Sequence, residues 1–350
     1  MTSPGSSPAG ARMAAEVAEQ PAVLQGVLDD GSAAAREVAA TLATRRPRFV
    51  LLAARGTSDH AALYAKYLVE IHLGLPCGLA SPSTFTAYGA RGDLRDVLVV
   101  AVSQSGGSPD LLGTVEAARS CGATTLAVTN APDSALAAAS ELALDVRAGT
   151  ELAVAATKSY TAELLTLFLV VDAWAGGDGA DAAAVPDAAA DLVARRPEVA
   201  ELAQRYRFAS RLVTTGRGYA YPTAREAALK LMETSYVAAH AFSGADLLHG
   251  PLAMVDPQYP VVAVVPGGVG AQAMAPVLER VLERGADLVV LGTDAPPAGA
   301  HGFALPGSVQ ERQHPVVDIV PLQWLALEMA VARGLDPDSP RGLAKVTRTW

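Results

Sequence analysis

The sequence predicts an α/β protein made of two tandem parallel-sheet αβα sandwiches, and three observations carry that reading. From Arg48 onward, short aliphatic runs alternate with helical stretches: Phe49 to Ala54, Asp59 to Leu73, Val97 to Val102, Leu111 to Cys121 and Thr125 to Thr129. This is the pattern of a parallel sheet covered by helices. The strand-turn-helix passage Phe49 to Leu68, with Gly56 in its turn, returns at Arg211 to Met232 around Gly218, 162 residues later. The helix-Gly-strand passage Val115 to Thr129 around Gly122 returns at Val277 to Thr293 around Gly285, 163 residues later. Two agreeing offsets point to a duplicated unit.

Taken in order, residues 1–22 read as a disordered or helical N-terminal segment. The first dozen are rich in turn formers, and Met13 to Leu28 shows helical spacing interrupted at Pro21, so folding proper is expected to start near residue 22. The first sandwich occupies 23–175 and closes on a long helix pattern from Thr157 to Trp174. Gly176, Gly177, Asp178 and Gly179, followed by an Ala/Asp-rich stretch, mark 176–199 as a linker carrying its own helix. The second sandwich occupies 200–335, and 336–350 form a C-terminal tail.

Composition narrows the function classes. The 350 residues carry 27 Lys+Arg against 36 Asp+Glu, a net charge of −9, which argues against coating nucleic acid. With 51% hydrophobic and 18% charged residues, most of the chain is expected to fold, burying roughly 75% of the surface its unfolded form exposes. Cys77 and Cys121 make no disulfide framework and sit in no C-x-x-C pair, which fits a reducing cytoplasm. The N-terminus has no basic start or apolar core of a secretion signal, and the longest apolar run, Leu164 to Val171, is interrupted by Thr166 and ended by Asp172; no membrane span is expected. No G-x-x-x-x-G-K-[ST], complete G-x-G-x-x-G, G-x-S-x-G or H-E-x-x-H is present, so neither cofactor nor metal is expected.

Four groups of residues offer chemistry. The strand Val97 to Val102 runs into Ser103, Gln104, Ser105, Gly106, Gly107, Ser108 and Pro109, after which a helix pattern begins. Backbone N–H groups, Ser hydroxyls and a helix N-terminus at a strand's carboxyl end suit a phosphate without Lys or Arg; equally, Ser108 with Pro109 suits a simple helix cap. The matching loop in the second repeat, Pro266 to Gly270, has no hydroxyl, so only one repeat is expected to hold an anion. Glu226, Lys230 and Glu233 stand at i, i+4 and i+7 on one helix face. They read either as a proton-handling strip, with a carboxylate base beside an ammonium, or as a solvated face with a Glu-to-Lys pair worth about 0.3–0.5 kcal/mol. His249, before Gly250 and Pro251, is either an acid-base group or a backbone hydrogen-bonder. Lys345, flanked by apolar residues, is a candidate Schiff-base amine if the tail folds into a pocket and does nothing specific if it waves in solvent.

These motifs occur together. Arg55-Gly56-Thr57-Ser58, Ser103 to Gly106, Glu151 to Lys158, Glu226 to Tyr236, His249-Gly250-Pro251 and Pro340 to Lys345 resemble, in order and spacing, the sugar isomerase (SIS) half of glucosamine-6-phosphate synthase and its glutaminase-less relatives, over about residues 13 to 350. The resemblance implies two SIS-type, flavodoxin-like subdomains and a C-terminal tail that enters the active site. It implies that Ser103, Gln104, Ser105 and Ser108 hold a sugar 6-phosphate, that Thr57 and Ser58 contact sugar or phosphate, and that Val154 joins the substrate-binding set. Glu233 would shuttle a proton between C1 and C2 of the open sugar, His249 would assist ring opening, Lys345 would lie against the carbonyl carbon, and Lys230 with Glu226 would tune the base. A homodimer with shared active sites is implied as well.

Departures from the synthases shape the expected reaction. Met232 stands where they usually have Lys, Ala156 where they have Ser and Asp246 where they have Glu, and only a short tail precedes the SIS region, so glutamine-derived ammonia is not expected. The leading expectation is therefore conversion of glucosamine 6-phosphate to fructose 6-phosphate and ammonia. A second is a dehydratase expelling the C3 hydroxyl of N-acetylglucosamine 6-phosphate. A third, of another class, is a non-catalytic sugar-phosphate sensor, though mere binding would not need Glu233, His249 and Lys345 together.

Overall fold

The computed structural model describes residues 8–345, and the chain divides into two compact units. One comprises Ala22–Thr150 and Lys158–Pro186; the other gathers the described part of Met1–Pro21, Glu151–Thr157 and Asp187–Lys345. Each contains one five-stranded, all-parallel sheet.

In the first-sheet unit the strands are β1 (Phe49–Ala53), β2 (Cys77–Leu79), β3 (Val97–Ser103), β4 (Thr124–Thr129) and β5 (Leu142–Asp145), in the spatial order β2-β1-β3-β4-β5. β3 reads Val-Leu-Val-Val-Ala-Val-Ser and is buried on both faces from Leu98 to Ser103, as a central parallel strand covered on both sides must be. Ala53, Ala101 and Ala127 pack against Leu111, Val115 and Leu136 on one face. The Lys158–Trp174 helix is buried from Lys158 to Asp172.

In the second-sheet unit β6 (Arg211–Gly216), β7 (Ala238–Ser243), β8 (Pro260–Val264), β9 (Asp287–Leu291) and β10 (His301–Phe303) lie in the order β10-β9-β8-β6-β7. Read from the other edge this is the order of the first sheet, so the repeat seen in the glycine offsets is a repeat of topology. Val213, Val261, Ala263, Leu288 and Val290 pack against Met274, Val277 and Val281. Among the described residues one helix, His314–Ala332, is long and apolar enough to cross a membrane by length and composition; 83% of its apolar window is buried in the protein, which accounts for its composition. In the stretch expected to be a linker, the helix Val185–Ala194 buries Val185, Ala188, Ala189 and Leu192.

Folding starts earlier than the sequence pattern places it. The N-terminal helix begins at Ala11, and Met13, Val17 and Gln20 are fully buried. It runs straight through Pro21, whose missing N–H would have bonded the Val17 carbonyl. The Gln20 side-chain amide donates to that carbonyl instead, at 3.0 Å, so the break costs no unsatisfied acceptor. The start of the helix is capped from 325 residues away: the Asp338 carboxylate accepts the Arg12 and Met13 N–H groups at 2.8 and 2.9 Å, and Asp336 accepts that of Gly10 at 2.9 Å. A cap this distant leaves no local sequence signature. Asp338→Ala is expected to cost about 0.5–2 kcal/mol, measured as lower unfolding free energy in urea and faster amide exchange over the first turn of this helix; unchanged exchange there would remove the cap from the account.

Candidate active-site groups

In the first-sheet unit the candidate phosphate residues meet at the point where the strand order reverses. β1 and β3 are parallel neighbours paired from Phe49↔Val97 to Ala53↔Ala101, so the turn after β1, with Gly56, Thr57 and Ser58, and the loop after β3, Ser103 to Ser108, emerge side by side at the carboxyl edge. Ligands of doubly wound sheets bind in this crevice. The Ser103 hydroxyl oxygen accepts the Gly106 N–H at 3.2 Å and that of Ser105 accepts the Gly107 N–H at 3.3 Å. Used as acceptors, both hydroxyls retain a hydrogen for a ligand oxygen. Ser108 occupies the N-cap of the Pro109–Ser120 helix, yet its side chain makes no capping bond, and its Oγ is buried without a partner. Gln104 is half-buried, its carbonyl accepting the Asn130 N–H at 3.3 Å. Ser58 is already engaged, donating to the buried Glu163 carboxylate at 2.9 Å.

Two further features shape this loop. Gly106 has φ 58°, and a Cβ there would lie 2.1 Å from the Ser134 hydroxyl, so the turn admits only glycine. Asp110, in the first turn of the following helix and 3% exposed, accepts two N–H bonds from the Arg55 guanidinium and one from the Thr86 hydroxyl at 2.8 Å. Arg55 thus balances a carboxylate that would otherwise repel an anion at the same helix terminus.

The second-sheet unit fills its equivalent position from within. In the loop after β8 the Val269 and Gly270 N–H groups donate to the Glu311 carboxylate at 2.9 and 2.7 Å, and a Cβ on Gly268, at φ 104°, would stand 2.2 Å from Glu311 Oε2. A resident carboxylate takes the N–H donors of this loop, whereas in the first repeat the Gly106 and Gly107 N–H groups go to serine hydroxyls.

The Ala220–Ser235 helix follows β6 and carries Glu226, Lys230 and Glu233. Lys230 and Glu226 are fully buried; Lys230 Nζ lies 2.5 Å from Glu233 Oε2 and 3.3 Å from Glu226 Oε1, while the Glu233 side chain is 23% exposed. A solvent-facing charged strip is therefore not what forms. Burial works to lower the Lys230 pKa, but the two carboxylates outweigh it and hold the ammonium above the ordinary lysine value. Glu233 is left as the member of the strip open to a ligand.

The tail folds back onto this same unit. The Tyr236 hydroxyl, just past the end of that helix, accepts the Arg341 N–H at 2.8 Å, and the Arg341 guanidinium lies 4.0 Å over the Tyr236 ring. Lys345 then donates to Glu151 Oε2 at 3.0 Å and to the Ala153 carbonyl at 2.6 Å. It does not wave in solvent. Val154 lies half-buried in the same 151–157 loop. His249 ends the short Gly244–Leu248 helix and is exposed.

In the sequence Glu151 and Arg55 stand out only as members of motifs, and Glu16 and Glu311 not at all. Glu16, 5% exposed, shares the buried stripe of Met13, Val17 and Gln20, and a carboxylate on an apolar helix face is the signal that could have found it. Glu311 had no such signal. The buried strip generates two expectations. Glu226→Ala leaves Lys230 half-paired in a dry site and is expected to cost about 3–5 kcal/mol; a urea-melt loss under about 1 kcal/mol would refute the pairing. Because the folded-state pKa of Lys230 is raised, its contribution is complete below the unfolded lysine value of about 10.4 and is lost as pH rises through the folded value. The stability difference between wild type and Lys230→Met is thus expected to be flat from about pH 6 to 9 and to shrink only at higher pH.

Comparison with known proteins converges on one family. A family model for the SIS domain matches residues 45–172 and again 206–333. The glutamine-fructose-6-phosphate aminotransferase (isomerizing) of Methanothermobacter thermautotrophicus is 37% identical over 339 residues, which cover 95% of this chain and 56% of that protein. The chain thus spans about half the length of the curated relatives it matches. Among solved structures, one from Silicibacter pomeroyi, provisionally assigned as a phosphosugar isomerase, is 34% identical with a TM-score of 0.84, covering 93% of this chain and 99% of that one. The C-terminal domain of glucosamine-fructose-6-phosphate aminotransferase from Francisella tularensis is 26% identical with a TM-score of 0.81, covering 96% and 99%. With two matched copies laid on two sheets of the same strand order, the chain belongs to the SIS domain family.

Proposed function

We propose that this protein is an enzyme of hexosamine 6-phosphates, converting glucosamine 6-phosphate and water to fructose 6-phosphate and ammonia. The observation that carries the reading is the Glu233 carboxylate, partly open to solvent and held at 2.5 Å by an ammonium with no exposure of its own. A base so restrained is oriented before substrate arrives, and mere binding has no use for it. The resemblance of 95% of the chain to proteins whose name joins fructose 6-phosphate to an isomerizing transfer supports the substrate class.

In this reading Ser103, Gln104, Ser105 and Ser108 take the 6-phosphate, with Thr57 and Ser58 beside it. Hydroxyls and peptide N–H groups suit a dianion whose charge need not change during reaction. Glu233 removes the C2 proton of the open aldehyde and returns it to C1; the resulting C2 imine is hydrolysed by water, releasing ammonia and leaving the ketose. Lys230 and Glu226 keep Glu233 in place, Lys345 and Val154 border the carbonyl end, and His249 serves ring opening. We assign His249 to the site of a neighbouring subunit in a homodimer; its exposure, and that of Leu248 at 38%, in a single chain supports this. The two free cysteines support a reducing, cytoplasmic setting.

The test is to supply glucosamine 6-phosphate, its N-acetyl form, and fructose 6-phosphate with ammonium, following ammonia, ketose and ultraviolet-absorbing elimination products. Ammonia and ketose in equal amounts are expected from the first, with Glu233→Gln lowering kcat at least 1,000-fold, about 4 kcal/mol of barrier. Turnover of the N-acetyl sugar to an absorbing product without ammonia would replace deamination by elimination, and binding without turnover of any of the three would leave a sensor. Ser105→Ala is expected to raise KM about 10-fold with little change in kcat, one charge-assisted hydrogen bond being worth about 1.5 kcal/mol; an unchanged KM would take Ser105 out of the phosphate site.

A further inference from the structure

The N-terminal helix reaches the tail lysine through a chain of polar contacts that packing does not require. Glu16 lies on its buried face beside Met13, Val17 and Gln20, where burial by itself favours an apolar side chain. Its Oε1 instead accepts the Leu152 N–H, and both its oxygens lie within reach of the Ala153 N–H, at 3.3 and 3.2 Å. Ala153 is therefore held from both sides: its N–H is bound to Glu16, and its carbonyl accepts Lys345 at 2.6 Å. The adjoining Glu151 accepts the Thr157 N–H at 2.9 Å with one oxygen and Lys345 at 3.0 Å with the other.

Two further contacts tie the same helix to the same parts. Gln20 donates to Gln323 at 2.8 Å, and Gln323 donates to the Thr157 carbonyl at 3.2 Å, gripping the far end of the 151–157 loop. Asp336 and Asp338, a few residues before Lys345, cap the helix start. Burial raises the pKa of Glu16, the Leu152 N–H opposes it, and the nearby Glu151 carboxylate raises it further. A carboxylate kept there against that cost points to what it holds.

We propose that Glu16 is a positioning residue: by fixing the Glu151–Ala153 backbone it sets where the Lys345 ammonium stands. The catalytic half of this statement rests on the function proposed above, with Lys345 at the carbonyl end of the sugar; the structural half does not.

The test uses the full chain. Its lysines are Lys66, Lys158, Lys230 and Lys345, and the first and last have similarly exposed side chains, 29% and 25%, so Lys66 serves as an internal reference. Brief acetylation with acetic anhydride, read by mass spectrometry, gives the Lys345-to-Lys66 labelling ratio. Glu16→Ala is expected to raise that ratio at least about 5-fold and to lower kcat on glucosamine 6-phosphate at least about 10-fold, with KM within about 3-fold. Glu16→Gln keeps an oxygen acceptor for both N–H groups and is expected to restore both readouts to within about 3-fold of wild type, which a general loss of packing would not allow. Should Glu16→Ala fail to fold, Glu16→Met, which keeps the volume and removes the acceptor, takes its place. An unchanged labelling ratio, a Gln variant that behaves like Ala, or a raised ratio with unchanged kcat each overturns the proposal. A wild-type protein inactive on every aminosugar phosphate would defeat the functional reading alone, and the labelling ratio would still decide the place of Glu16.

Discussion

Lys230 carries a full charge to a position with no solvent exposure, and the local structure follows from meeting that demand. An isolated ammonium there would be untenable, so the helix supplies one carboxylate a turn earlier and another a turn later. Glu226 joins in this neutralisation and is as buried as its partner. Glu233 is not: the same contact that completes the balance also pins a partly exposed carboxylate in one orientation. The helix ends two residues later, where Tyr236 takes a left-handed turn at φ 55° and offers its ring and hydroxyl to Arg341 of the tail. The charged strip and the docking point of the tail are therefore set by one rigid element.

The first sheet presents the opposite solution to a charge problem. Its cradle after β3 is neutral, made of hydroxyls and peptide N–H groups, and the Asp110 carboxylate in the following helix is matched by Arg55. Two sheets of identical strand order have thus diverged at the same topological position. One keeps a small-residue loop with an unpartnered Ser108 hydroxyl; the other seals its loop with Glu311. Duplication supplied two crevices, and an internal carboxylate removes one from competition for an anion.

The ends of the chain enter through long-range contacts. Asp338 caps a helix that starts at Ala11, and Lys345 closes on the loop that Glu16 holds. Among the described residues the two segments are joined by polar groups, the Asp336 and Asp338 carboxylates of one accepting N–H groups of the other. This is why the helix from Ala11 had no clear sign in the composition: its apolar stripe is short, but distant aspartates satisfy the N–H groups that would otherwise fray.

Class and duplication are legible in the chain alone, because aliphatic strands buried on both faces and helices of 3.6 residues per turn imprint local periods that survive at an offset of 162 or 163 residues. It also displayed nearly all of the candidate chemistry, since Ser-rich loops, the i, i+4, i+7 strip and the tail motif are each contiguous in the chain. What it left undecided was burial: whether Glu226, Lys230 and Glu233 face water, whether Ser108 caps or waits, and whether Lys345 docks. Those questions are answered in the folded chain, which brings Glu16 to Ala153, Asp338 to Met13 and Glu311 to Gly270, because desolvation and hydrogen bonding depend on neighbours in space, and those neighbours lie 41 to 325 positions away along the chain.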